Sequence, residues 1–128
     1  MSQERFTRIP APVVPGIADS VKVTAGDLLF VSGAVGFEQD GSVPADFARA
    51  TELTLRELER ALKAGGADFS SVVRFNVYVT DLNKEKLGIY RRVRDEIVGT
   101  DNLIASTLLG VAALFNDSTI EIDAIAAV

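Results

Sequence analysis

The chain has 128 residues, of which 48% are hydrophobic and 24% charged, so its length and composition fit one globular domain. Its formal net charge of −5 opposes nucleic-acid binding, because contact with phosphates needs a positive face. The absence of cysteine and histidine excludes disulfides, thiol nucleophiles, thiolate metal sites and histidine catalysis, so any chemistry must come from carboxylates, hydroxyls, backbone amides, Arg, Lys or water.

The N-terminal segment, MSQERFTRIP, has no apolar stretch of the kind found in signal peptides. No apolar run along the chain approaches the ~20 residues that are needed to span a bilayer. We therefore expect a cytoplasmic protein that does not contact a membrane.

The first third of the chain predicts three strands. Residues 5–9 and 20–24 alternate polar and apolar side chains, and the proline-rich segment 10–16 predicts an extended loop between them. A tight turn at 25–27 predicts that the strand 28–34 returns as a hairpin partner. This third strand is apolar on both faces, which is typical of a central strand covered on both sides.

The rest of the chain predicts two helices and three strands. Apolar residues at three- and four-residue steps predict a helix over 44–64, which two glycines end. Residues 71–80 are β-branched and aromatic at alternate positions and predict a long strand, with Val73 on its apolar face. A second helix over 84–98 and strands over 103–109 and 118–127 complete the pattern.

The element order is therefore β-β-β-α-β-α-β-β, in a single domain spanning residues 1–128. With only two helices, the simplest arrangement is an α+β fold, a mixed sheet with both helices on one face. The other face of that sheet then needs a cover, which predicts self-association into a closed symmetric oligomer.

Acidic side chains on the last strand are the first candidates for chemistry. Alternation places Glu121 and Asp123 on one face, and paired carboxylates can orient water or transfer protons. A solvated strand face explains the same pattern. Ser32 and Gly33 end the apolar strand LLFVSGA, where a hydroxyl and a bare backbone either line a ligand site or simply enter a turn.

Polar side chains elsewhere allow both a ligand role and a structural one. Ser106 and Thr107 place two hydroxyls in an apolar strand, where they can satisfy backbone groups or hold a polar ligand. Arg74 can bind a carboxylate through two hydrogen bonds, although an ion pair with a neighbouring acid is the simpler expectation. The arginines in the segment RRVR, residues 91–94, are expected on a solvated helix face.

Four segments in the same order resemble one family. GDLLFVSGAVG, AGGADFSSVVRFNVYVTDLN, STLLGVAAL and IEIDAIA are similar to the YjgF or Rid proteins, also called endoribonuclease L-PSP, from Val21 to the C-terminus. The resemblance implies a chorismate-mutase-like α+β fold and a homotrimer with ligand clefts between subunits. It also implies hydrolysis of enamines or imines of small metabolites, with release of ammonia and without metal or cofactor.

The resemblance assigns roles to three residues of this chain. Ser32 and Gly33 match the Ser-Gly pair that lines the cleft, and Glu121 matches the glutamate that places water. The sequence departs from the family at the arginine that clamps the substrate carboxylate: Ser106 stands there, or Ala105 in the neighbouring alignment.

A second departure lies in the N-terminal loop. Ile17-Ala18 follows Gly16 where the family has Pro-Tyr, so the aromatic cleft residue is missing. The chain thus resembles an arginine-less branch of the family. We hypothesise that Ser106 and Thr107 bind a neutral or different polar group in the same cleft.

Three functions follow from these residues. The first is a cofactor-free hydrolase that deaminates an enamine, an imine or a related small C–N compound, with Glu121 as the catalytic residue. The second is a homotrimer that binds a small metabolite without converting it. The third, an endoribonuclease, is disfavoured by the acidic charge and the lack of histidine.

Overall fold

The computed structural model describes residues 5–128; residues 1–4, part of the segment in which no signal peptide is predicted, lie outside the described residues. The order β-β-β-α-β-α-β-β is confirmed. The strands are β1 (Phe6–Pro10), β2 (Ala18–Val23), β3 (Leu28–Ala34), β4 (Val72–Thr80), β5 (Ala105–Val111) and β6 (Ile120–Ala127). The helices are α1 (Phe47–Ala64) and α2 (Lys84–Val98).

The strands form one mixed sheet in the order β1-β2-β5-β4-β6-β3. The long strand β4 pairs in parallel with β5 and antiparallel with β6, so it lies between two strands from the C-terminal part of the chain. Both helices cover one face of this sheet, and the apolar core lies between them and the strands. The predicted α+β fold, with two helices on one face of a mixed sheet, is confirmed.

The predicted hairpin of residues 20–24 with 28–34 is wrong. β2 pairs with β1 and β5, whereas β3 pairs with β6 alone and forms an edge of the sheet. Two backbone hydrogen bonds join Asp27 to Val128, so the turn directs the chain toward its own C-terminus. β3 is therefore not a central strand: Leu28 is 55% exposed and Phe30 is 70% exposed.

Helix α1 begins three residues later than predicted. Asp46 is its N-cap and accepts a hydrogen bond from the backbone N–H of Arg49 at 3.1 Å, so Pro44 lies in the preceding loop. The helix ends at Gly65, as predicted, and Gly66 then adopts a positive φ of 84°. The predicted inward side chains are all buried: Phe47, Thr51, Leu55, Leu58 and Leu62.

Helix α2 has the predicted bounds and begins at an Asn83 N-cap. Tyr90 and Val93 are buried as predicted, while Leu87 and Ile97 are half-buried. Among residues 5–128, no helix has both the length and the apolar character needed to cross a membrane.

A bulge changes the inward residues of β4. The register with β6 shifts between Val72 and Arg74, so two consecutive residues of β4 face one residue of its partner. Val72 is fully buried and Val73 is only half-buried, although strict alternation had placed Val73 in the core. Beyond the bulge, Phe75 and the next alternate residues enter the core as predicted.

We predict that Gly36→Ala destabilises the protein by about 1–3 kcal/mol, because a Cβ there would overlap the α1 backbone between Leu53 and Thr54. The Gly36 N–H also donates to the Thr54 hydroxyl at 3.1 Å, which fixes the end of β3 against the helix. Urea unfolding at fixed protein concentration measures this loss. The matched control is Gly88→Ala in α2, where a Cβ meets nothing within 4 Å. It should stabilise the chain by up to ~1 kcal/mol, and equal effects of the two substitutions would contradict the packing described.

Candidate functional site

The sheet face away from the helices carries polar side chains from three adjacent strands. Tyr78 of β4 pairs with Glu121 of β6, and Asn76 lies between Asp123 of β6 and Thr107 of β5. Because paired residues of neighbouring strands point to the same side, all five side chains lie on this face. We call it the open face.

Hydrogen bonds connect most of these groups. Asn76 Nδ2 donates to Asp123 Oδ1 at 2.8 Å, and the Tyr78 hydroxyl donates to Asp123 Oδ2 at 3.1 Å. Arg74 donates through Nε to Asn76 Oδ1 and through an Nη to Thr107 Oγ1. Both oxygens of Asp123 are thus occupied. The ion pair expected for Arg74 is not formed within residues 5–128, where its partners are neutral oxygens.

Glu121 differs from Asp123 because no residue among 5–128 donates a hydrogen bond to its carboxylate or forms an ion pair with it. The β3–β6 register shifts between Val31 and Ala34, so β3 carries a bulge at Ser32 and Gly33. A Cβ on Gly33 would collide with the Glu121 carboxylate. Glycine therefore lets a half-buried carboxylate lie directly on the β3 backbone, with its oxygens available to water or a ligand.

The outer edge of β3 forms a groove with α1 that Glu121 itself does not line. Ser32 and Gly33 line it together with Glu57, Arg60 and Ala61 of α1, and its volume is about 300 Å³. One chain therefore places Gly33 against Glu121, while Ser32 and Gly33 together line the groove at the edge of β3.

The pKa of Tyr78 is raised by its neighbours on the open face. The hydrogen bond to Asp123 is the largest cause of a raised Tyr78 pKa, followed by desolvation and by the negative charges of Asp123 and Glu121. The positive charge of Arg74 acts in the opposite direction. The pKa of Tyr78 therefore depends on the two carboxylates of this face, those of Asp123 and Glu121.

Ser106 lies on the other side of the sheet. It pairs with the buried Phe75, whereas its neighbour Thr107 pairs with Asn76 on the open face. Ser106 lines a second cavity of about 300 Å³, which we call the outer cleft, together with residues 11–14 and 17–19. Ser106 and Thr107 therefore cannot line one surface of a single chain, and Ser106 is not brought to Glu121 within one chain.

The expectation that Arg94 lies on a solvated helix face is wrong. Arg94 is only 6% exposed, although the RRVR segment had been expected on a solvated face. Arg94 follows Tyr90 by four residues and precedes Val98 by four, so it belongs to the buried stripe of α2. The four-residue spacing can be read from the sequence, but the neighbouring arginines favoured the interpretation as a solvated face.

Comparison with known proteins agrees with the fold described above. The family described as Endoribonuclease L-PSP matches residues 16–128. The chain is 35% identical over 118 residues to the 2-iminobutanoate/2-iminopropanoate deaminase of Rattus norvegicus, covering 91% of this chain and 83% of that protein. It is also 35% identical over 114 residues to Protein DfrA of Myxococcus xanthus, covering 85% and 82%.

Among solved structures, the chain is similar to YyfB of the conserved Rid protein family from Yersinia pestis. The TM-score is 0.82 at 26% identity, and the match covers 97% of this chain and 99% of that one. The chain therefore belongs to the endoribonuclease L-PSP family, the YjgF/Rid family.

We predict that Asp123→Asn lowers the pKa of Tyr78 toward its ordinary value, because the negative hydrogen-bond acceptor that disfavours the phenolate is removed. Ultraviolet titration of the tyrosines measures the change. The chain has two tyrosines, and burial raises the pKa of the other, Tyr90, to about 12, so Tyr78→Phe identifies which titration step belongs to Tyr78. Asp101→Asn, at an exposed position, is the control. An unchanged Tyr78 pKa in Asp123→Asn would contradict the hydrogen-bond network.

Proposed function

We propose that this Rid-family protein is a cofactor-free hydrolase that deaminates a reactive enamine, an imine or a related small C–N metabolite, with Glu121 placing the attacking water. The observation that carries the proposal is the Glu121 carboxylate, which lies against the backbone of Gly33 without a donor or a cation from residues 5–128. The rat relative is a 2-iminobutanoate/2-iminopropanoate deaminase, which supports the same chemistry.

The proposed reaction needs only water and a proton carrier. Water adds to the carbon of the C=N bond, and the proton that it loses passes through the carboxylate to the nitrogen. The hydroxyl proton of the resulting carbinolamine then passes to the nitrogen, again through the carboxylate, and the C–N bond breaks, which releases ammonia and leaves a carbonyl. An enamine enters the same sequence after protonation at carbon.

The residues around Glu121 suit this role. The strand backbone and the contact with Gly33 limit where the half-buried Glu121 carboxylate can lie, which restricts the direction from which a water bound to it can attack. Gly33 has no side chain and lets a small substrate approach the strand backbone closely. Ser32 lines the neighbouring groove at the edge of β3, where its hydroxyl can hydrogen-bond the polar end of the substrate.

We further propose that the protein is a homotrimer in which the open face is covered by neighbouring subunits. Large apolar side chains are exposed on this face or along its edge, although such side chains are normally buried. They are Leu28, Phe30 and Leu109. In such an assembly, Glu121 of one subunit and Ser106 of its neighbour would share a cleft.

A second candidate function is a homotrimer that binds a metabolite without hydrolysing it. Ser106 favours it, because a hydroxyl there replaces the cationic clamp that the resemblance implies for active members. We do not propose ribonuclease activity, because the chain carries a net charge of −5 and no histidine.

We predict that Glu121→Gln lowers the rate of ammonia release from freshly generated imines by roughly 10²–10⁴-fold, because the amide cannot accept a proton from water. The matched control is Glu96→Gln, an exposed glutamate of α2 that pairs with Arg92, and it should leave the rate unchanged. Retained ligand binding in Glu121→Gln would show that only turnover is lost. Wild-type rates in Glu121→Gln would contradict the role of Glu121, and absence of turnover in the wild type would favour the binding function.

We predict that sedimentation equilibrium gives a trimer for the wild type and a smaller species for Phe30→Arg, because the new charge would lie in the covered apolar face. The control is Ala64→Arg, at an exposed position near the end of α1, which should remain a trimer. A monomeric wild type would contradict the proposed assembly.

A further inference from the structure

We propose that Asp40 is a site of slow covalent modification, at which the backbone nitrogen of Gly41 attacks the Asp40 carboxyl and converts the residue to isoaspartate. The folded turn slows this reaction through hydrogen bonds from Ser42. The site is independent of the hydrolase proposed above, because the reaction needs only two neighbouring residues and water. The evidence is the sequence of the turn, its exposure and the hydrogen bonds that occupy both reacting groups.

The turn after β3 contains an aspartate that is followed by glycine. Asp40 precedes Gly41, and no other aspartate or asparagine of the chain precedes a glycine. The reaction closes a five-membered ring on the nitrogen of the following residue, and glycine has no side chain to hinder that closure. The sequence therefore makes Asp40 the aspartate whose cyclisation meets the least steric opposition.

The reaction needs no reagent other than water. The Gly41 nitrogen bonds to Cγ of Asp40 in its carboxylic-acid form, the bond from Cγ to the acid hydroxyl breaks, and that hydroxyl leaves as water with the proton of the nitrogen. A second water then opens the succinimide ring at one of its two carbonyl carbons. Opening at the former backbone carbonyl leaves the chain running through Cβ and Cγ, which is isoaspartate, and opening at the other restores aspartate.

The structure leaves room for the ring and for water at this turn. Asp40, Gly41 and Ser42 are all exposed. Gly41 has a positive φ of 87°, and apart from its chain neighbours no atom of residues 5–128 lies within 4 Å of the place that a Cβ would take. Packing therefore does not prevent the succinimide from forming or from being hydrolysed.

Hydrogen bonds occupy both reacting groups in the folded turn. The Gly41 N–H donates to the backbone carbonyl of Glu38 at 2.8 Å. Asp40 Oδ1 accepts from the Ser42 N–H at 2.9 Å and from the Ser42 hydroxyl at 2.6 Å. The hydroxyl bond is the largest cause of a lowered Asp40 pKa, so the carboxyl stays ionised, and a carboxylate is a poorer target for a nucleophile than a carboxylic acid. Ring closure requires these bonds to break, so the folded turn should react more slowly than the unfolded chain.

Isoaspartate at this position would weaken the connection between β3 and α1. The Glu38 N–H donates to the Ser42 carbonyl at 2.9 Å and closes the turn. The Glu38 carboxylate accepts from Arg49 of α1, from Nε at 3.2 Å and from Nη2 at 3.1 Å. An extra backbone carbon at Asp40 lengthens the turn between these bonds. The modified chain should therefore unfold at a lower temperature than the unmodified one.

The test is storage of the full-length protein at neutral pH and body temperature, both folded and in guanidinium chloride. Enzymatic methylation of isoaspartate measures its amount, and peptide mapping with electron-transfer fragmentation locates it. We expect isoaspartate at Asp40 in both samples, with a rate at least threefold lower in the folded protein. Ser42→Ala should raise the rate in the folded protein at least twofold, whereas Ser42→Thr, which keeps the hydroxyl, should leave it unchanged.

The matched control is Ser70→Ala, because Asp68 and Ser70 repeat the same hydrogen bonds without a glycine. Asp68 Oδ1 accepts from the Ser70 N–H at 2.9 Å and from the Ser70 hydroxyl, but the residue between them is the buried Phe69. Ser70→Ala should therefore produce no isoaspartate at Asp68. Asp40→Glu should remove the signal from the turn, because a glutamate would have to close a larger ring.

The outcomes separate the site from its protection. Absence of isoaspartate at Asp40 from both samples of the wild type would overturn the proposed site. Equal rates in the folded and the denatured protein, or in folded wild type and Ser42→Ala, would overturn the protection by the turn. Position 42 is exposed, so Ser42→Ala should unfold at the wild-type temperature in circular dichroism. Faster modification together with a lowered unfolding temperature of unmodified Ser42→Ala would overturn the specific role of the hydroxyl.

Discussion

The candidate site depends on the antiparallel pairing of β3 with β6. This pairing brings a strand from the first third of the chain beside the last strand, and its bulge at Ser32 and Gly33 leaves bare backbone under the Glu121 carboxylate. Neither strand could form this contact alone. A side chain at position 33 would displace the carboxylate, and a regular register would remove the bulge. The same pairing leaves the outer edge of β3 free and exposes Phe30.

The two faces of the sheet divide the candidate residues between two surfaces. Glu121 and Thr107 lie on the open face, while Ser106 lies on the face that α2 and the N-terminal loop cover. Alternation along β5 makes this division unavoidable, because consecutive residues of a strand point to opposite sides. A cleft that joins Ser106 to Glu121 therefore requires a second subunit. The exposed apolar side chains of the open face and its edge favour such an assembly on independent grounds.

Local patterns predicted much of this structure, and non-local contacts explain what they missed. The bounds of α2 and the inward residues of α1 follow from helical periodicity and caps, which are properties of neighbouring residues. The hairpin of β2 with β3 was wrong because strand pairing is decided by the whole sheet, in which β6 is the partner of β3. The β4 bulge was missed because alternation assumes a regular register. Gly33 and Glu121 were both identified as candidates, but their contact across two strands was not predictable from either segment.

A crystal structure of the assembled protein tests most directly whether the site is completed between subunits. Glu121 of one subunit and Ser106 of an adjacent subunit should line one cavity, with Gly33 at its floor. The open faces should be buried against neighbouring subunits. An assembly in which Glu121 and Ser106 open to separate surfaces in every pair of subunits would contradict this account, even if the fold of each chain were the one described.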